Sequence, residues 1–195
     1  MLSPVEARIQ KIYHSYRHTS KVDQKGLFFS PTCVQICRPI PDYAATTRGQ
    51  IVQYLKDAQE GNVPVDSATA PPSETFIPPK DSGVYTIRPL HPTEATDFSL
   101  STITSSIHLT PLQLLQKSRD EGWIGMRVDL WDEGAATNDS LLVKVQYWWR
   151  KEEIQVGEEM EGDENGEGWR QCLHDIMYLG PKDGTEGEEG LEVRE

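Results

Sequence analysis

Four residues in the C-terminal half of the chain carry side chains able to share protons. Arg127 and Asp129 stand two apart, the spacing that places both on one face of an extended strand. Asp175 lies in a later stretch from which a second carboxylate can face that pair. Two carboxylates bridged by one guanidinium can position a water and divide the acid and base roles, because unequal surroundings drive their pKa values apart. A solvent-facing ion pair on an amphipathic sheet is the competing reading, and exposed pairs of that kind are common. His174 precedes Asp175, and adjacent strand residues point to opposite faces, so the two cannot both line one pocket without a bulge. With His174 inward, it can serve as a general base while Tyr13, Tyr16 or Tyr147 donates to a developing enolate and His108 joins from an earlier strand. A structural histidine satisfied by backbone is the alternative. Trp123, Trp131, Trp148 and Trp149 can line a flat hydrophobic cavity for an aromatic ligand, or pack the core or a dimer face.

These side chains need a sheet to hold them. Residues 123–131, 141–149 and 169–179 read as consecutive antiparallel strands, rich in Val, Ile, Leu, Tyr and Trp. Met126, Val128 and Leu130 alternate with Arg127, Asp129 and Trp131, and Val143, Val145, Tyr147 and Trp149 oppose Lys144, Gln146 and Trp148. Ahead of them, Ser3-Pro-Val-Glu6 is a capping box with proline at the first helical position, opening a helix through about residue 19 with Ile9, Ile12, Tyr13 and Tyr16 on one stripe. A short helix or turn over 22–30 ends at Pro31, followed by a strand over 32–37. Thr47 caps a further helix that stops near Gly61, and Thr110-Pro-Leu-Gln opens another through Arg119. Strands are expected at 84–88 and 100–109.

Composition bounds the rest. The chain has 195 residues, enough for one domain with a real core, and a formal net charge of −12. That charge is localised: residues 152–195 hold 15 acids and 3 bases, while residues 1–151 hold 16 of each. An acidic loop (152–168) and an acidic tail (181–195) argue against phosphate-backbone binding, so no nucleic-acid partner is expected. Both segments read as poorly ordered and dispensable for folding and for any pocket chemistry, and the proline-rich stretch 62–82 reads as a mobile loop or a lid over a pocket. No run of 18 apolar residues exists, and the first residues lack a basic start followed by an apolar core. No membrane association and a cytoplasmic location are therefore expected. Cys33, Cys37 and Cys172 lack CxxC spacing and read as reduced, buried thiols. His14 and His18 lack further ligands nearby, and the calcium-like run from Asp163 meets His174 where its last carboxylate should stand. No metal and no cofactor is expected.

The helix order, with Tyr13 and Tyr16, Phe28-Phe29-Ser-Pro, Val34-Gln-Ile36, Thr47-Arg-Gly-Gln-Ile51 and Gly168-Trp-Arg170, resembles the SnoaL-like branch of the nuclear transport factor two-like superfamily. The resemblance spans roughly residues 4–180 of one domain, 1–180. It implies an α+β cone, a curved antiparallel sheet wrapped on N-terminal helices with a small-molecule pocket between, and a homodimer through the sheet's outer face. It also implies either a cofactor-free lyase, isomerase or hydrolase acting on a polyketide-like or other apolar substrate, or a non-catalytic binding or protein-interaction module. The Arg127-Val-Asp129 and Asp175 set is similar to that of limonene-type epoxide hydrolases, which implies Asp129 as base, Asp175 as acid and Arg127 as organiser.

Overall fold

In the computed structural model, residues 2–60, 83–98, 105, 107–132, 141–187 and 191–194 are described. Helix α1 (Pro4–His18) starts where the capping box requires: the Ser3 hydroxyl accepts from the Glu6 amide, and Glu6 reaches back to the Ser3 amide at 2.6 Å. Its stripe of Ile9, Ile12, Tyr13 and Tyr16 is buried. A one-turn α2 (Val22–Lys25) leads into β1 (Phe29–Cys37), and α3 (Arg48–Gln59) starts on the Thr47 cap. Then follow β2 (Gly83–Pro89), α4 (Pro111–Asp120), β3 (Ile124–Asp132), β4 (Leu141–Glu153), β5 (Glu167–Pro181) and β6 (Leu191–Arg194).

The strands form one mixed sheet in the order β1-β5-β4-β3-β2-β6. Every neighbouring pair is antiparallel except β1–β5, which is parallel. The fold is α+β, a curved, unclosed sheet carrying helices, as in the cone architecture. Alternation along the strands splits the core into two layers. The inner face, with Met126, Val128, Leu130 and Trp149, packs on α1 and on Ile51 of α3. The outer face carries Trp148, Cys172 and Leu173, covered by Leu114 of α4 and by Leu90 and Phe98.

The outer face of the sheet, through which a homodimer is expected, carries α4 and residues 90–98 over its apolar part, and Leu2, Leu112 and Val156 are the large exposed hydrophobics among the described residues.

Three expectations are corrected. Residues 105 and 107 are helical and His108 lies in a left-handed turn at φ 55°, so the strand expected through Leu109 is absent from the described part of that stretch. Residues 191–194, expected in a disordered tail, pair with β2 from Ile87↔Leu191 to Val84↔Arg194, because β2 otherwise leaves a sheet edge unpaired. The acidic connection between β4 and β5 is strapped down. Arg170, 2% exposed, forks onto both Asp163 oxygens at 3.0 and 2.7 Å, Arg48 of α3 holds Glu158 at 2.6 Å, and Arg8 of α1 reaches Glu164 at 3.3 Å. The acids of this loop are counter-ions for arginines of the body. The proline-rich stretch 62–82 lies outside the described residues, apart from neighbouring Gly83 that opens β2.

Candidate functional site

Between the inner face and helices α1 and α3 lies a cavity of about 170 Å³. Tyr13 and Tyr16 enter from α1, Phe29, Gln35 and Cys37 from β1, and Ile51, Tyr54, Leu55 and Ala58 from α3. The sheet contributes Leu130, Val143, Val145, Tyr147, His174, Ile176 and Leu179. Most of this lining is apolar or aromatic, and the half-exposed Arg17, Tyr43 and Tyr54 mark its rim.

His174 is the most informative group. Its Nε2 hydrogen-bonds Gln171 Oε1, while Phe29 and Tyr147 set their rings edge-on to the imidazole at 5.1 and 4.7 Å. With Nε2–H donating to Gln171, the lone pair lies on Nδ1, which has no protein partner among the described residues and is left to the cavity. Burial depresses its pKa from 6.5 to about 3, because the apolar surroundings penalise the imidazolium. The imidazole is therefore neutral across the physiological range. Asp175 points the other way, as alternation requires.

The tyrosines form a chain of ring contacts. Tyr13 meets Tyr16, Tyr85 and Tyr147 at centroid distances of 5.8, 5.3 and 5.5 Å. Desolvation raises the pKa of Tyr13, Tyr16 and Tyr147, so all three remain protonated donors. Burial also pushes the Cys37 thiol up to about 11, so it contributes bulk rather than a thiolate.

The sequence-predicted residues separate into two groups. Tyr13, Tyr16, Tyr147 and His174 converge on this cavity. Arg127 and Asp129 lie on the opposite face of the sheet, joined to each other at 2.7 Å. Asp175, 1% exposed, gives both oxygens to Arg38 at 2.8 and 2.5 Å rather than to Arg127. The water-positioning set of two carboxylates on one arginine is thus not assembled: Gln146 of β4 stands between Arg127 and Asp175 in the register, and Arg38 takes Asp175. Trp131 packs with Val84 and Leu142, Trp148 with Phe98, and exposed His108 precedes α4; none of the three reaches the cavity.

Gln171 escaped sequence reasoning for an identifiable reason. It lies three residues before His174, a spacing that alternation assigns to opposite faces. The β4–β5 register passes from Trp148↔Leu173 to Trp149↔Gln171, so Cys172 is an extra residue and Gln171 rejoins the inner face. Gln171 Nε2 and Trp149 Nε1, opposite each other in that register, are both buried without a protein partner among the described residues. Buried donors of this kind call for an acceptor.

Comparison with known proteins agrees with this architecture. A family model described as a SnoaL-like domain matches residues 2–195. Neither a curated protein nor a solved structure gave a significant match. With a match over nearly its whole length, set on a curved sheet with a helix-lined cavity, the chain belongs to the SnoaL-like domain family.

Proposed function

We propose that the inner cavity binds a compact, uncharged, largely apolar molecule carrying one polar group. The observation that carries this reading is the neutral His174 imidazole, which lines an otherwise aromatic cavity together with protonated tyrosines. A charged ligand would lose its hydration with no counter-charge beside His174. A hydroxyl can donate to Nδ1, and a carbonyl or hydroxyl oxygen can accept from Tyr13. The size suits a single ring: a cavity of about 150 Å³ in another protein takes benzene, whereas drug-sized ligands occupy roughly 300–1,000 Å³.

Binding is favoured over proton transfer by the partner of His174. A carboxylate behind the imidazole would stabilise the imidazolium of a general base; the Gln171 amide does not. A cofactor-free isomerase or lyase using His174 as base, with Tyr13 donating to the substrate oxygen, is the second reading, supported by the two groups sharing one cavity. Calorimetric titration with 4-methylphenol and with cyclohexenone tests the first. Saturable binding that disappears in Ala58→Phe, which fills the cavity, is expected; binding unchanged in that variant contradicts it. Deuterium incorporation into cyclohexenone from heavy water, lost in His174→Phe, would move the assignment to catalysis.

A further inference from the structure

The displaced arginine–aspartate pair belongs to a second, chemically different pocket. It lies on the outer face, encloses about 210 Å³, and is lined by Thr86, Arg88, Glu94, Arg127, Asp129, Lys144 and Thr185. Strand register explains the clustering. Arg88 of β2 stands directly opposite Arg127 of β3, and Asp129 of β3 stands between Thr86 of β2 and Lys144 of β4. Like charges opposed across a strand pair are destabilising unless something negative sits between or beside them.

The carboxylates present satisfy this unevenly. Glu94 takes Arg88 through both oxygens, at 2.7 and 3.0 Å. Arg127 is less well served. Its Nε donates to Asp129 at 2.7 Å, but its Nη1 meets the sulfur of Met177 at 3.6 Å, a weak acceptor for a guanidinium. Lys144 is steadied by the Thr185 carbonyl at 3.3 Å and by the Thr185 hydroxyl, which in turn bonds Asp183. An ammonium has three protons to give, and neither Thr185 oxygen carries a full charge. The lining therefore holds three cations and two carboxylates, with the Asp183 carboxylate at its edge near Lys144 and the outer edge of Arg127 facing no carboxylate in the lining other than Asp129.

We propose that this outer pocket is a binding site for a small oxyanion, a carboxylate or a phosphate, received by the outer edge of the Arg127 guanidinium and by the Lys144 ammonium. The planar fork of Arg127 suits two oxygens of one oxyanion, and Lys144 adds a point charge from the adjacent strand. Thr86 offers a hydroxyl from the facing strand. Asp129 limits affinity by competing for Arg127 and repelling the anion, so the site discriminates by charge rather than binding tightly. It is independent of the inner cavity: the two are separated by the sheet and share no lining residue.

Titration of the full chain at low ionic strength, with inorganic phosphate in one series and malonate in another, tests this. Chemical shifts of the Arg127 side-chain Nε–H and of the Thr86 amide report occupancy. Saturation by at least one of the two anions is expected, and which one saturates assigns the chemistry to phosphate or carboxylate. Arg127→Gln and Lys144→Gln should each weaken binding by about tenfold or more, while His174→Phe leaves it unchanged. Asp129→Asn should tighten binding several-fold, the reverse of what loss of a merely structural ion pair would do. Lys144 is half-exposed, so Lys144→Gln keeps the test decisive if Arg127→Gln fails to fold. Absence of saturation with both anions, unchanged affinity in Lys144→Gln, or weaker binding in Asp129→Asn would each overturn the proposal.

Discussion

The two faces of one sheet carry opposite chemistry. Apart from Arg17 at its rim, the inner cavity is lined by neutral groups, with an imidazole held unprotonated and tyrosines held protonated by burial. The outer pocket is lined by five ionised side chains, with the Arg88 guanidinium beside Glu94 holding that carboxyl down to about 2. Strands β3 and β4 supply both, since their alternate residues look in opposite directions. What differs is the cover. Helices α1 and α3 pack over the inner face, so ionisation there is costly; in the outer pocket each carboxylate has a guanidinium beside it, and charge is tolerated. The chemistry of each residue is therefore set by which face its strand register gives it, before its type matters.

Breaking the cover should have the largest effect. Arg170→Ala leaves Asp163 without its fork and releases the strap that joins β5 to α1 and α3. A loss of about 3–5 kcal/mol is expected, because a buried ion pair that loses one partner leaves an uncompensated charge. Urea unfolding of Arg170→Ala beside the parent chain measures it, and a change under about 1 kcal/mol would show that the strap is not part of the inner layer.

Acidification sharpens the contrast next. The folded-state pKa of His174 lies below its unfolded value, so the unfolded chain takes up the proton first. Stability from this group is complete above about pH 6.5 and falls as pH drops toward 3, by on the order of 1 kcal/mol per pH unit. Glu94 acts in a lower window, losing its contribution as pH falls from about 4.5 toward 2. His174→Phe should flatten the stability profile between pH 6.5 and 4.5, and Glu94→Gln should not; the test is thermal denaturation across that range.

Replacing the partner of His174 is a smaller and more local change. Gln171→Glu places a carboxylate behind the imidazole and should raise the His174 pKa by about one unit or more, visible in the pH titration of its ring nitrogens. An unmoved titration would mean that Gln171 does not hold the ring. The smallest effect belongs outside. Glu94→Gln should cost no more than about 1 kcal/mol in urea unfolding, because its pair with Arg88 is partly exposed and solvent-screened.

Much of this fold is legible in the residues. Capping boxes at Ser3 and Thr110 set the starts of α1 and α4, and the alternation in β3 and β4 separates Met126, Val128 and Leu130 from Arg127 and Asp129. The site was half legible. Tyr13, Tyr16, Tyr147 and His174 have the right types and spacings, but alternation says only that two faces exist, not which one the helices will cover. The cover is decided by long-range packing, which placed α4 and Phe98 over the face where Arg127 and Asp175 stand. Gln171 required a bulge that no residue pattern announces. The acidic strap misleads by composition, since its charges are matched by Arg8 and Arg48, far away in the chain, and by Arg170 just past the segment.

The account rests on the inner cavity taking neutral ligands through His174, and a matched pair of probes tests that most directly. Nitrogen-15 spectra of His174 and of the Tyr147 amide are recorded at pH 7 while 4-methylphenol is titrated in one sample and 4-methylbenzoate in another. Saturable shifts at both residues with the phenol, and none with the benzoate, are the predicted result. Equal response to the two probes, or silence at His174 with the phenol, would contradict it.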